Sequence, residues 1–228
     1  MIKNQTFNQW WQRTGEWVEE PNQRRGGESG VQLLLPETAE QPLLYSKRQV
    51  NHMFSSLRYP CGHPTALREK NAIQALQRLD VNTPKLIYYG AEKKGKDWYA
   101  LIITEELKDF ISLEAWYAQQ DSQPVPDSVI SAVLKEVARS FYKMHLGGWQ
   151  HGCCYAKHVF VKVQPEQVPE VAFIDLEKAR HRLFAYRAAL HDIKQLGRHR
   201  PGMPDEHWQL FLEYYCELQP KLRKNLMP

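Results

Sequence analysis

Apolar and polar positions change their period about halfway along the 228-residue chain. Residues 24–35, RRGGESGVQLLL, place Gly26, Gly27 and Gly30 before an apolar run, which predicts a strand beside a flexible turn. Residues 43–48, LLYSKR, predict a second short strand with Lys47 near its end. Pro64 and Thr65 announce a helix with Thr65 as its N-cap. Within it Glu69, Ile73 and Leu76 recur at i, i+4 and i+7 and so share one face. The helix ends at Asp80, and Asn82-Thr83-Pro84 breaks the chain. LIYYG (86–90) and WYALIITEEL (98–107), joined by EKKGKD, predict a hairpin. The first half therefore reads strand, strand, helix, strand, strand.

Beyond this point the helical period takes over. Leu113 to Ala118 predicts a short helix, and Pro124 and Pro126 mark a loop. Asp127 or Ser128 caps a strong helix with Val129, Val133, Val137, Phe141 and Met144 on one stripe, and Gly147-Gly148 stops it. A loop, WQHGCCYAK, leads to the strand HVFVKV; a turn with Pro165 and Pro169 precedes the strand VAFID, which ends on Asp175. From Ala179 onward the chain reads as mostly helical, with a polar loop at 197–205. The expected architecture is mixed α/β (α+β): a small β-rich N-terminal lobe, 1–104, and a mostly helical C-terminal lobe, 105–228, with a cleft between them.

Composition narrows the class. Hydrophobic residues at 43% and charged residues at 25% are ordinary for a soluble globular chain and argue against long disorder. A net charge of +4 is a mild bias toward phosphate-bearing partners or an anionic membrane face. With no recognised nucleic-acid module beside it, this balance predicts no nucleic-acid partner. No window reaches the ~18 apolar residues of a spanning helix, and MIKNQTFNQWWQRTGEW lacks a secretory apolar core. Four cysteines, two of them adjacent at 153 and 154, do not form a disulfide framework. Reduced thiols and the cytoplasm are the expectation.

Several residues have two readings. Glu69 on an inward helix face is costly unless a cation meets it. Lys47 is either a solvated edge lysine or that cation. The glycines are either a hairpin turn or a loop whose backbone N–H groups approach phosphate oxygens. Asp175 is either a turn residue or a ligand for a hard cation such as Mg²⁺.

Taken in order, RRGGESGV, YSKRQ, REKN, TEEL, HGCCYAKHVFV and FIDLEKAR resemble the protein-kinase fold. More narrowly, they resemble the bacterial lipopolysaccharide kinase family (WaaP/Kdo kinase-like), its InaA branch above all, from about residue 10 to the end. The resemblance implies ATP and Mg²⁺ as ligands. Lys47, held by Glu69, would lie against the α/β-phosphates under the glycine turn. Glu105 and Leu107 would sit where the main chain hydrogen-bonds adenine. Asp175 would bind the metal with His158 ligating it or bracing Asp175, and Asp192 would tie the catalytic loop to the larger lobe. The implied acceptor is a sugar hydroxyl of the lipopolysaccharide core, at the cytoplasmic side of the inner membrane, with a peripheral membrane contact. Arg180, His181, Arg182, Arg187, Arg198, His199 and Arg200 either receive an anionic group or form a solvated face.

One position departs from the family pattern. The catalytic loop reads His151-Gly152-Cys153, with a thiol where the family places an acid that receives the acceptor proton. A thiol is mostly protonated at neutral pH and is a weak acceptor. Phosphoryl transfer needs little from a base, so a slow kinase, with His151 or Tyr155 as substitute, and a nucleotide-binding pseudokinase both remain open. A further grouping takes His151, Cys153, Cys154 and His158, with Cys61 and His63, as a zinc cluster. Adjacent cysteines and the lack of a CxxC pair weigh against it.

Overall fold

Alternating buried and half-buried positions along β2 and β3 are the pleated pattern of a sheet covered on one face. The computed structural model describes residues 5–24, 26–36, 38, 40–120 and 122–227. It divides into two compact units: residues 1–74 with 84–107, and residues 75–83 with 108–228.

The first unit contains α1 (Phe7–Gln12), β1 (Glu16–Arg24), β2 (Gly27–Leu34), β3 (Leu44–Val50), β4 (Met53–Ser56), β5 (Tyr59–Pro64), most of α2 (Ala66–Arg78), β6 (Leu86–Lys94) and β7 (Asp97–Glu105). Five strands form an antiparallel sheet in the order β1-β2-β3-β7-β6, and β4 pairs with β5 in a separate hairpin. Its core joins Phe7 and Trp10 of α1 to Leu34, Leu44, Leu101 and Ile103 of the sheet. Six residues make a marginal helix on their own, and α1 is fixed at both ends. Thr6 and Gln9 form a capping box at its start. At its other end the Arg48 guanidinium donates to the Trp11 carbonyl at 2.6 Å and lies 4.4 Å over the Trp11 ring.

The three glycines do not share one role. Gly26 sits in the β1–β2 turn with φ +75°, where L side chains are strained. Gly27 and Gly30 belong to β2. A β-carbon on Gly30 would stand 2.7 Å from the Trp17 ring and 3.0 Å from the Glu19 carbonyl oxygen, so close packing of β1 demands this glycine. Lys47, expected near a strand end, lies in mid-strand, opposite Val31 and Ile102.

In the second unit α2 ends, and β8 (Ile111–Ser112), α3 (Leu113–Ala118), α4 (Asp127–Leu146), β9 (Trp149–Gln150), β10 (Val159–Lys162), β11 (Glu170–Phe173), β12 (Arg180–His181), α5 (Ala185–Arg198), α6 (Asp205–Leu218) and α7 (Arg223–Leu226) follow. The expected side-chain cap of α4 is corrected: Pro126 holds the N-cap position without a side-chain bond, and Asp127 is the first helical residue. There its charge still suits the positive end of the helix dipole. Phe141 of α4 packs on Phe173 of β11 and Phe211 of α6, with ring centroids 4.7 and 6.2 Å apart. β10 pairs with β8 on one side and β11 on the other. The Ile174 N–H extends that ladder by donating to the His158 carbonyl at 3.1 Å. This bond sets the loop before β10 beside the loop after β11.

Candidate functional site

The first unit presents an ion pair withheld from water. Lys47 Nζ lies 2.9 Å from Glu69 Oε2, and the two side chains are only 15% and 11% exposed. Desolvating both charges is expensive, so such a pair is weak grounds for stability and better grounds for a function that needs a positioned ammonium. Gln49, two residues along β3 from Lys47, fixes the geometry. Its Oε1 accepts from the Thr65 hydroxyl at 3.1 Å and from the Ala66 N–H at 2.9 Å. The first turn of α2 is thereby tied to the strand that carries the lysine. At the end of β7, the Glu105 N–H donates to the Lys85 carbonyl and its carboxylate pairs with Lys85 Nζ at 2.8 Å. The Glu106 N–H donates to the Leu43 carbonyl, and Leu107 closes the unit.

The second unit is organised around Asp192, whose side chain is completely buried on α5. It accepts from the His151 N–H at 2.6 Å and the Gly152 N–H at 3.1 Å. His191 Nδ1 lies 3.0 Å and His145 Nε2 3.3 Å from its oxygens, and His145 Nδ1 meets the Tyr215 hydroxyl at 2.7 Å. Burial alone would raise this carboxyl's pKa, but the hydrogen bonds from His145 and His191 hold it well below the usual range. The anchored turn is tight: Gly152 has φ +78°, and a β-carbon there would stand 2.7 Å from the Lys178 carbonyl oxygen.

His151, offered by the sequence as a substitute base, is wholly buried, stacked 6.3 Å from His158 and edge-on to Phe173. Its Nδ1 accepts from the Cys153 N–H at 3.3 Å, and burial lowers its pKa toward the neutral ring. Cys153 is 5% exposed. Burial, the Asp175 charge and a hydrogen bond with Asp175 push its thiol up to about 11, against the opposing pull of Lys178, whose Nζ lies 3.9 Å from Sγ. His158 Nδ1 donates to the Cys153 carbonyl at 2.8 Å and lies 3.7 Å from Asp175 Oδ2. Asp175 takes a left-handed conformation, φ 55° and ψ 55°, an uncommon one for a residue with a β-carbon.

Among the described residues, ligating atoms of Cys153, His158 and Asp175 all lie within 4.8 Å of one another. His151 and Cys154 do not join this group. The grouping of His151, Cys153, Cys154 and His158 is therefore not the one the fold assembles: β10–β11 pairing brings Asp175 beside Cys153 and His158 instead. For Mg²⁺ the fit is partial: Asp175, with a side chain 34% exposed, offers the oxygen that hard cations take, whereas thiol and imidazole are soft donors.

Sequence reasoning missed Lys178, His145 and Gln195, the last of which accepts from the Cys154 N–H at 2.7 Å. His145 carried a readable signal, since it follows Phe141 and Met144 on the buried stripe of α4 and an imidazole there needs a polar partner.

A sequence model of the lipopolysaccharide kinase (Kdo/WaaP) family matches residues 8–215. The chain is 44% identical over 213 residues to Protein InaA of Escherichia coli (strain K12), spanning 93% of this chain and 96% of that protein. It is 30% identical over 123 residues to the lipopolysaccharide core heptose(I) kinase WaaP of Pseudomonas aeruginosa, which covers 51% of this chain and 45% of that kinase. The fold is similar to that of WaaP solved in complex with acyl carrier protein, with a TM-score of 0.70, 22% identity, and coverage of 97% and 88% of the two chains.

Proposed function

Because the chain belongs to the lipopolysaccharide kinase (Kdo/WaaP) family, we propose that it binds ATP and transfers the γ-phosphoryl group to a hydroxyl of a lipopolysaccharide core sugar. The buried Lys47–Glu69 pair carries this reading. An ammonium held in place by a carboxylate and shielded from water is suited to the phosphates of a nucleotide. The turn at Gly26 is assigned to the phosphates, with Gly27 and Gly30 letting its hairpin pack. Glu105 shapes the end of β7, and the main chain of Leu107 is assigned to adenine. A divalent cation, when bound, neutralises charge on the transferring phosphoryl group; Asp175 would hold it, steadied by His158. Asp192 and His151 act as positioning residues for the loop that carries Cys153.

In this transfer the acceptor oxygen forms a bond to phosphorus as the bond to the departing ADP oxygen breaks. Cys153, protonated at neutral pH, cannot take the hydroxyl proton, which then passes to water or a phosphoryl oxygen. Slow turnover follows. The same raised thiol pKa favours a second reading, a pseudokinase that binds nucleotide and acts by conformation.

A thermal-shift titration with ATP, with and without Mg²⁺, tests both. At a hundredfold excess over Kd a ligand adds about 2.7 kcal/mol, roughly 5–10 °C in Tm for a chain of this length. Lys47→Ala should remove the shift, and Asp175→Ala its Mg²⁺-dependent part, each judged against the variant's own ligand-free Tm. No shift at millimolar ATP would end both readings. A shift without transfer to core oligosaccharide would select the pseudokinase.

For location we propose a peripheral contact with the anionic inner membrane through residues 180–187. Leu183, Phe184 and Tyr186 are 93%, 55% and 46% exposed, with Arg180 before and Arg187 after them in the chain. Each cation near such a surface is worth about 1 kcal/mol. Arg180→Gln with Arg187→Gln should weaken binding to phosphatidylglycerol vesicles on the order of 30-fold. Equal binding by the double variant would refute this surface.

A further inference from the structure

The donor set beside Asp175 is softer than a magnesium site requires. We propose that Cys153, His158 and Asp175 form a zinc site that fills without nucleotide. The ligating atoms of the three already lie within 4.8 Å of one another, a spacing that one tetrahedral ion can close with small side-chain adjustments. Sulfur, imidazole nitrogen and a single carboxylate oxygen match zinc's preferences and leave a fourth position for water or a phosphate oxygen. Mg²⁺ instead seeks six oxygens and keeps much of its water.

Two features of the surroundings agree, and one must give way: the His158 nitrogen that faces Asp175, Nδ1 at 3.7 Å, donates to the Cys153 carbonyl and would exchange that bond for the ion. Asp175 is partly exposed and gives the ion a way in. A thiolate and a carboxylate together cancel the charge of a divalent ion, and the proton displaced from sulfur leaves to solvent on binding. Lys178 opposes a cation here, its Nζ lying 3.9 Å from Cys153 Sγ; it is an exposed residue on a flexible stem, and binding would require its ammonium to move aside. Lys157, whose charge also reaches the thiol, is exposed as well. The proposal shares Asp175 and His158 with the phosphotransfer reading but does not depend on it.

The test uses the full chain stripped of metal and titrated with Co²⁺ in the absence of nucleotide. One equivalent should produce a thiolate-to-cobalt charge-transfer band with the intense visible absorption of a tetrahedral ion, and Zn²⁺, but not excess Mg²⁺, should abolish it. Cys61→Ser, which removes the exposed thiol of the first unit, should leave the band intact. Cys153→Ser should lose it, and His158→Ala should weaken saturation, with circular dichroism confirming that each variant folds. Absence of the band in the wild type, or its survival in folded Cys153→Ser, overturns the proposal. Loss of the ATP shift with the cobalt band intact would refute only phosphotransfer; the reverse would refute only zinc.

Discussion

Cys153→Asp should raise phosphoryl transfer to core oligosaccharide by about 10²–10⁴-fold over the wild-type chain, the usual worth of a general base. The thiol at this position, pushed up to about 11 mainly by burial and then by Asp175, stays protonated throughout the neutral range. The wild-type rate should therefore show no limb from thiolate formation until pH approaches about 11. A carboxylate in its place would accept the acceptor proton at neutral pH. It would also find a counter-charge ready, because Lys178 Nζ lies 3.9 Å from the present sulfur. Repulsion from Asp175 would raise the new acid's pKa, so the gain should be largest when a divalent cation occupies Asp175. Cys153→Asn, similar in size and without charge, is the control. Equal rates for the Asp and Asn variants, at saturating ATP and Mg²⁺, would show that the missing base is not what limits turnover. In the zinc site the same change replaces sulfur by oxygen, so Cys153→Asp should also lose the cobalt charge-transfer band.

The residues that carried the functional reading were legible because each broke a local rule. An acid on the apolar face of α2 asked for a cation, and Lys47 answers it. Elements defined by a repeated pattern, such as α4 and the β6–β7 hairpin, were equally readable. The misses have physical causes. The six residues of α1 are too few for periodicity to register, and their stability comes from Arg48 and the sheet; only the Thr6–Gln9 capping box marked them locally. β1 is mostly polar, carries Pro21, and among the described residues pairs only with β2. β9 and β12 are two residues each and exist through tertiary pairing. The glycine cluster looked like one loop because sequence cannot separate a turn glycine from one demanded by a neighbouring strand's backbone. Lys178 and Gln195 act across loops, and no spacing in the chain announces such contacts.

Asp192→Ala should destabilise the second unit by about 3–5 kcal/mol, the cost of removing one partner from a buried charged network, and lower Tm on the order of 10 °C. The alanine would leave the His151 and Gly152 N–H groups without their acceptor and strip His145 and His191 of their common partner. Asp192→Asn keeps an acceptor for the backbone but loses the charge, so it should fall between alanine and wild type. The pH dependence follows from the direction of the shift. A carboxyl whose pKa is depressed by folding contributes stability that is fully present above its unfolded value, about 3.9, and is lost as pH falls through the lower folded value. The gap between wild type and Asp192→Asn should therefore be widest near neutrality and shrink below about pH 4. Urea midpoints measured from neutral to acid pH would test this, and a gap independent of pH would assign the loss to packing. A folded Asp192→Asn should also weaken the cobalt band more than it weakens the ATP shift, because the turn it anchors carries Cys153 and the Lys47–Glu69 pair belongs to the other unit.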